Sequence, residues 1–276
     1  MAEARGLRGL RNPAVIAAFG GWNDAGDAAS GVIDHLVDTY RAELEFAIDP
    51  EEFYDFQVNR PTTRLIDGKR TIEWPTTEVL VANLPERDLV LIGGPEPNYR
   101  WQEYLNRLMS LLRSVRPEMV VVLGALLTDA PHTRPVPVSG TASDAELAAE
   151  LGLEISDYEG PTGIVGVLSQ ECSVAGMPVV SMWASVPHYV AEPPNPKATL
   201  ALLSALEDVL NLPLDSGELA EAAGAWVEQV NDLVRAANGG VLPEVPAQPD
   251  NCGKRFEGKV AIITGAASGI GYATAS

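Results

Sequence analysis

Cysteine is scarce in this chain of 276 residues, which holds only Cys172 and Cys252 and no Cys-x-x-Cys pair. Two distant cysteines support neither a disulfide framework nor a zinc ribbon, so a reducing compartment fits the sequence. No apolar run approaches the roughly 20 residues that span a bilayer, and the N-terminus has no apolar signal core. We therefore expect a cytoplasmic protein that has no membrane partner.

Basic residues are also few. Lys and Arg total 19 against 38 Asp and Glu, which leaves a formal net charge of -19. This balance disfavours nucleic acid and anionic membranes as partners, because their phosphates would be repelled, and it favours basic or neutral partners. The hydrophobic fraction of 46%, with only 21% charged residues, is ample for a folded core.

Signatures of common enzyme classes are missing as well. The sequence has no G-x-S-x-G elbow, no H-E-x-x-H pair and no clustered set of metal ligands. Gly20-Gly21 lacks the spacing and the lysine of a phosphate loop, and Asp24 and Asp27 beside it would oppose an anion. We expect no metal and no cofactor, and we interpret the two aspartates as helix caps.

The most apolar run lies at residues 119–127 and predicts a buried parallel strand, with Pro117 before it and prolines after it. Ligands and partners of open α/β sheets bind beyond the carboxyl ends of the strands. The following loop, 128–137, carries an acid, an imidazole and a guanidinium on a proline-rich backbone. This loop is the first place to look for function.

The rest of the chain predicts a three-layer α/β fold with a mostly parallel sheet, similar to phosphorylases and hydrolases. Apolar patterns and turn residues predict strands at 13–19, 44–48, 78–84, 88–92 and 177–184, and a hairpin at 63–73 around Asp67-Gly68. Helical spacing and caps predict helices after Asp27 and at about 101–115, 143–152, 197–210 and 216–238, with Ser143 and Ser216 as N-caps. Residues 164–168 fit a helix or a strand, and we favour the helix.

Four loops, at 20–27, 93–101, 128–137 and 185–190, follow strands that are predicted to be buried. If these strands are parallel, the loops share one edge of the sheet. The polar side chains that this edge would gather, our candidates for a binding surface, are Asn23, Asp24, Asp27, Glu96, Asn98, Tyr99, Arg100, Asp129, His132, Thr133, Arg134, His188 and Tyr189.

Histidine suits general acid–base work near neutral pH, and two of the three histidines fall on this edge. A structural role is an open alternative for each residue taken alone. His132 could bond to backbone, Arg134 could pair with Asp129 or Asp144, and His188 could be half-buried. We therefore assign no catalytic residue.

The last predicted helix carries a heptad seam, since its apolar residues alternate spacings of four and three. The seam could contact a second subunit, but packing on its own domain is favoured. Its residues are Leu219, Ala223, Trp226, Val230, Leu233 and Ala237.

The C-terminal part of the chain differs from the rest. We divide the chain into a domain at 1–240, a proline-rich linker at 241–255 and a tail at 256–276. Residues 264–271 resemble the cofactor loop of short-chain dehydrogenases, but the ribose-binding acid, the further strands and the Tyr-x-x-x-Lys motif of that family do not follow. We expect the tail to bind no NAD and not to fold as a domain.

Several sequence blocks, in order, are similar to the bacterial form of the proteasome assembly chaperone 2 family, over residues 13–238. They include 21–26, 94–97, 131–135, 158–163 and 183–189. The resemblance implies a phosphorylase-like α/β fold, self-association, with trimers expected for bacterial members, and no established enzymatic activity. Relatives in eukaryotes and archaea help to assemble the proteasome, some through a C-terminal hydrophobic-Tyr-any tripeptide, which Ala275-Ser276 do not match.

Two functional hypotheses follow. The first is a non-catalytic protein-binding or assembly-chaperone-like protein, with proteasome subunits as candidate partners. The alternative is a phosphorylase- or hydrolase-like enzyme that acts on a small anionic or nucleoside substrate at the His132/Arg134 edge. The composition and the missing catalytic signature favour the first. In either case, replacing His132 or Arg134 by alanine is expected to leave the fold intact, because changes to loop residues at the surface usually cost little stability.

Overall fold

The structure, a computed structural model, describes residues 7–237. In chain order the elements are β1 (Ala14–Gly20), α1 (Ala28–Tyr40), β2 (Glu43–Ala47), β3 (Thr62–Ile66), β4 (Lys69–Glu73), β5 (Glu78–Asn83), β6 (Asp88–Pro95), α2 (Trp101–Val115), β7 (Met119–Thr128), β8 (Val138–Ala142), α3 (Ala145–Leu151), β9 (Glu154–Ile155), α4 (Ile164–Val174), β10 (Val179–Pro187), α5 (Pro196–Leu210) and α6 (Leu219–Ala237).

Within residues 7–237, eight strands form one mixed sheet in the order β2-β5-β6-β1-β7-β10-β8-β9. The four central strands β6, β1, β7 and β10 are parallel. On one flank β5 and β2 pair antiparallel, and on the other flank β8 runs antiparallel to β10. The α/β class and the parallel centre are confirmed, whereas the likeness to phosphorylases stays a prediction.

Helices cover both faces of the sheet, which makes the three layers that the sequence predicts. Because side chains alternate across a strand, Ile16 of β1 packs on one face with residues of α1 and α5, such as Leu36 and Leu206. Val15 packs on the other face with residues of α2 and α4, such as Leu112. The central strands are buried on both faces, as their uninterrupted apolar sequences predict.

Two N-cap predictions are wrong. Asp144, not Ser143, caps α3, because its Oδ1 atom accepts hydrogen bonds from the backbone N–H groups of Glu146 and Leu147, at 3.1 and 2.9 Å. The hydroxyl of Ser143 donates to the Asp144 carboxylate instead. The last helix, α6, begins at Leu219 and not at Ser216, whose carbonyl accepts a bond from the Leu219 N–H.

The heptad seam of α6 is only partly buried. Ala223 and Val230 are buried in a helix that packs against α5, whereas 66% of Leu233 is exposed. Packing on its own domain therefore accounts for part of the seam.

The hairpin around Asp67-Gly68 is confirmed and forms a second, two-stranded sheet, β3 and β4. Strands β8 and β9 were not predicted, since Val138–Ala142 has no apolar run. No helix among residues 7–237 is both long and apolar enough to cross a membrane. The linker at 241–255 and the tail at 256–276 lie outside the described residues, so the domain division stays a prediction.

Candidate functional site

The parallel pairing of β6, β1, β7 and β10 brings their four following loops to one side of the sheet, as the sequence predicts for parallel strands. We call this side the carboxyl edge and define it as residues 20–27, 93–101, 126–137 and 185–190.

Asp24 caps α1 from inside the protein. It is only 4% exposed, and its carboxylate accepts bonds from the N–H groups of Ala29 and Ser30, at 2.6 and 3.1 Å. Burial raises the pKa of this carboxyl, although the hydrogen bonds from Ser30 and Ala29 act in the opposite direction. Asp27 is exposed in a left-handed conformation, with φ of 50°, and its side chain makes no cap bond. The capping role therefore belongs to Asp24 alone.

Asn23 and Glu96 connect two loops and a helix through hydrogen bonds inside the protein. The Nδ2 atom of Asn23 donates to Oε1 of Glu96 at 2.8 Å, and the same oxygen accepts the N–H of Ile164 at the start of α4. Asn23 is 1% exposed, and its backbone carbonyl accepts the N–H of Ala125. These two polar residues join β1, β6, β7 and α4 and do not present their amide and carboxylate as a surface.

Asn98 and Arg100 hold the segment around residues 49–59 against the edge. Oδ1 of Asn98 accepts from the Asp55 N–H at 2.7 Å and from Nδ2 of Asn59 at 2.8 Å. Arg100 forms an ion pair with Glu52, as does Arg107. The hydrogen bond from Arg107 is the main reason why the pKa of Glu52 lies below its usual value.

The guanidinium groups of Arg100 and Arg107 also lie over the ring of Phe53, with the carbon of each group 5.9 and 4.8 Å from the ring centre. These contacts give both arginines a structural role.

His132 is a buried structural residue, 5% exposed. Its Nδ1 atom lies 2.8 Å from the Tyr189 hydroxyl, and its Nε2 atom lies 3.0 Å from Oδ1 of Asn231 in α6. Its carbonyl accepts a hydrogen bond from Nζ of Lys197 at 2.6 Å. Both ring nitrogens are therefore occupied by protein partners, which corrects the interpretation of His132 as an accessible loop residue.

The neighbouring candidates lie nearer to solvent. Thr133 is exposed, and the carbonyl of the half-buried Arg134 accepts a hydrogen bond from Lys197, whose pKa is lowered by burial. His188 is exposed, and its Nδ1 atom lies 3.2 Å from Oδ1 of Asp129. Of the two acids near Arg134 in the prediction, Asp129 contacts His188 and Asp144 caps α3.

One very small cavity lies at this edge. It measures about 10 Å³ and is lined by residues that include His132, Lys197 and Trp226. That is roughly the space of one water molecule, whereas ligand pockets usually measure about 300–1,000 Å³. Residues 7–237 contain no group of three or more His, Cys, Asp and Glu side chains that could hold a metal ion.

The exposed apolar residues of the edge, apart from its tyrosines, were not predicted from the sequence to belong to a functional surface. Trp22 is 53% exposed, and Leu126 and Leu127 at the end of β7 are 39% and 50% exposed. The regular pairing of β1 with β7 ends at Leu123, so the last residues of β7 extend past the end of β1 while they stay paired with β10 as far as Thr128. This exposure could not be predicted from the sequence, because Leu126 and Leu127 continue the apolar run of a buried strand.

Two aromatic rings add to this surface. Tyr99 is 51% and Tyr189 is 45% exposed, and each hydroxyl is bonded within the protein, to Asp55 and to His132. Their rings therefore face solvent while their polar atoms are occupied. We call the five residues Trp22, Tyr99, Leu126, Leu127 and Tyr189 the apolar rim.

Comparison with known proteins places these features in context. The model of the PAC2 family matches residues 18–234. The crystal structure of a PAC2 family protein from Streptomyces avermitilis is 53% identical, has a TM-score of 0.77 and aligns over 82% of this chain and 98% of its own. A proteasome-assembly chaperone homologue from Mycobacterium tuberculosis is 46% identical, has a TM-score of 0.73 and aligns over the same shares.

A more distant structure shares the fold. An archaeal proteasome activator from Pyrococcus furiosus is 17% identical, has a TM-score of 0.64 and aligns over 83% of this chain and 95% of its own. The search of curated proteins gave no significant match.

Proposed function

The chain belongs to the PAC2 family, and on this premise we propose that it is a non-catalytic, assembly-chaperone-like protein that binds a protein partner through its apolar rim. The observation that carries this proposal is a contrast at the carboxyl edge. The buried side chains of Asn23, Asp24 and His132 each make hydrogen bonds within the protein, with Oδ1 of Asn23 as the one buried polar side-chain atom of this edge that has no partner, whereas the apolar rim is exposed. Such a surface is suited to contact with another protein.

Protein interfaces are enriched in aromatic side chains and have an apolar centre. The rim supplies exposed Trp, Tyr and Leu side chains at the end of β7 and in the loops that follow the neighbouring parallel strands. A small-molecule enzyme would need an enclosed site with available polar groups. The ring of His132, one of the two histidines that the sequence places on this edge, is instead buried between Tyr189 and Asn231.

Proteasome α-subunits are the partners that we would test first. The support for this choice is the name of the Mycobacterium tuberculosis relative, a proteasome-assembly chaperone homologue that is 46% identical. We further propose that the chain associates with itself, with a trimer as the expected state from the family resemblance.

Affinity capture with purified proteasome α-subunits tests the proposal. Wild type should retain them, and the double variant Leu126→Ser/Leu127→Ser should not. The matched control is Val174→Ser, because Val174 is 73% exposed at the far end of α4, away from the α4 N-terminus that Glu96 caps at the carboxyl edge. This control should bind as wild type does.

A screen for phosphorylase and hydrolase activity, run on the same samples, tests the alternative. Turnover by wild type, together with no retained α-subunit, would overturn the proposal in favour of an enzyme. Equal retention by wild type and the double leucine variant would show that the rim is not the binding surface.

A further inference from the structure

The hairpin formed by β3 and β4 stands outside the packed core. We call residues 60–73 the hairpin arm. Every residue of both strands is exposed, and the arm belongs to neither of the two core clusters among the described residues. Its apolar side chains are in water: Leu65 is 74%, Ile66 49% and Ile72 54% exposed.

An uncovered hairpin of this kind needs a packing partner. A two-stranded sheet alone is marginally stable in water, and it presents two open edges of unpaired backbone groups. The ladder of the arm is regular from Thr62↔Glu73 to Ile66↔Lys69, so the strands are well paired with each other. Exposed Leu and Ile residues on such an arm therefore indicate a surface that becomes covered.

The charge of the arm identifies what would cover it. The arm has four basic residues, Arg60, Arg64, Lys69 and Arg70, against the acidic Asp67 and Glu73. The remainder of the chain holds 15 basic and 36 acidic residues, since the whole chain holds 19 and 38. The arm is thus a basic segment on a strongly acidic protein.

We propose that the hairpin arm docks on the acidic surface of a second copy of this chain. The inference rests on the proposed self-association and assigns it a surface, which is separate from the apolar rim. Lys69 and Arg70 follow directly after the turn and meet carboxylates of the neighbouring copy, while Leu65 and Ile72, which share one face of the hairpin, lose contact with water. One acidic surface of this kind includes the exposed Asp34 and Asp38 of α1, with Asp215 nearby, whose carbonyl lies 2.7 Å from Nε2 of His35.

The same charges determine the geometry of the contact. Two arms packed on each other would bring together two segments that each hold four basic and two acidic residues, with Arg64 already paired with Glu73, and the excess of positive charge makes that contact unfavourable. The arm therefore contacts a different surface of its neighbour.

The test is the molar mass in solution, measured by light scattering at micromolar concentration. Wild type should be oligomeric. Lys69→Glu/Arg70→Glu and Leu65→Ser/Ile72→Ser should each weaken association at least tenfold, and Val174→Ser should not. Association of wild type should also weaken as salt rises from about 50 mM to about 500 mM, because screening reduces the attraction between exposed charges.

The arm lies outside both core clusters, so these variants should keep the circular dichroism spectrum of wild type, which shows that a loss of mass is not unfolding. A monomeric wild type would overturn both the arm inference and the proposed self-association. An oligomeric wild type with equally oligomeric arm variants would overturn the arm inference alone. Loss of retained α-subunits by arm variants that keep full mass would assign the arm to that partner and would also overturn the inference.

Discussion

The Nε2 atom of His132 lies 3.0 Å from the Oδ1 atom of Asn231, and this contact joins the loop after β7 to the last helix. Asn231 is itself 9% exposed, so the bond is formed inside the protein. His132, on which the enzyme hypothesis depends, is therefore a structural residue that links segments distant in the chain. Its position changes what a substitution there should do.

His132→Ala should lower the free energy of unfolding by about 2–3 kcal/mol, because it removes two side-chain contacts and leaves the buried Asn231 oxygen without its partner. Urea unfolding measures the change. Thr133→Ala, at an exposed neighbour, should stay within about 0.5 kcal/mol of wild type. If both variants unfold as wild type does, the His132 link contributes nothing to stability.

Much of the fold could be predicted, and the reason is periodicity. The apolar runs of β1, β6, β7 and β10 are long enough to identify buried parallel strands, and once they are parallel their following loops must lie at one edge. Asp67-Gly68 likewise indicates a hairpin because those residues accept positive φ, and both adopt it, at 49° and 76°.

The character of the site could not be predicted in the same way. The burial of His132 depends on Asn231, which lies far along the chain, and the local sequence around His132 cannot predict that contact. The exposure of Leu127 depends on β1 ending before β7 does, which is a relation between two strands and not a property of either. The strand β8 has the sequence Val-Ser-Gly-Thr-Ala, which lacks an apolar pattern and forms because β10 offers it an edge.

Asp24 gives a prediction for pH dependence. Its pKa in the folded protein is raised above the ordinary value of 3.8 by burial, so the native state holds more protons than the unfolded state just above that value. The contribution of this group to stability therefore falls as pH rises through the folded pKa. The Asp24→Asn variant has no carboxyl to ionise at this position and does not lose this stability. The free energy of unfolding of the variant relative to wild type should therefore rise between pH 4 and pH 7.

Thermal unfolding of both proteins across that range measures the difference, and a difference independent of pH would show that the pKa of Asp24 is not raised. Asp24→Ala is the companion variant. It should be less stable than Asp24→Asn by about 1 kcal/mol, because the asparagine oxygen can still accept the N–H bond of Ala29 and alanine cannot.

Substitution of Gly163 tests the hydrogen bond between Asn23 and Glu96 at the carboxyl edge. A methyl group at this position would overlap the amide of Asn23, which is buried and bonded to Glu96 and so has little room to move. Gly163→Ala should therefore destabilise the protein by about 1–3 kcal/mol in urea unfolding.

The matched control is Gly224→Ala, in α6, where an added methyl group meets nothing within 4 Å. That change should stabilise the protein by about 0.5–1 kcal/mol, because alanine favours helix. An unchanged stability for Gly163→Ala would mean that Asn23 is not held in place.

Binding through the apolar rim is the central claim, and titration calorimetry with purified proteasome α-subunits tests it most directly. We predict binding by wild type and by Val174→Ser, and at least tenfold weaker binding by Trp22→Ala and by Leu126→Ser/Leu127→Ser, a loss of about 1.4 kcal/mol or more. Each variant should keep the melting temperature of wild type within a few degrees, since the changed side chains are exposed. Equal affinity of wild type and the rim variants for these subunits would contradict the account.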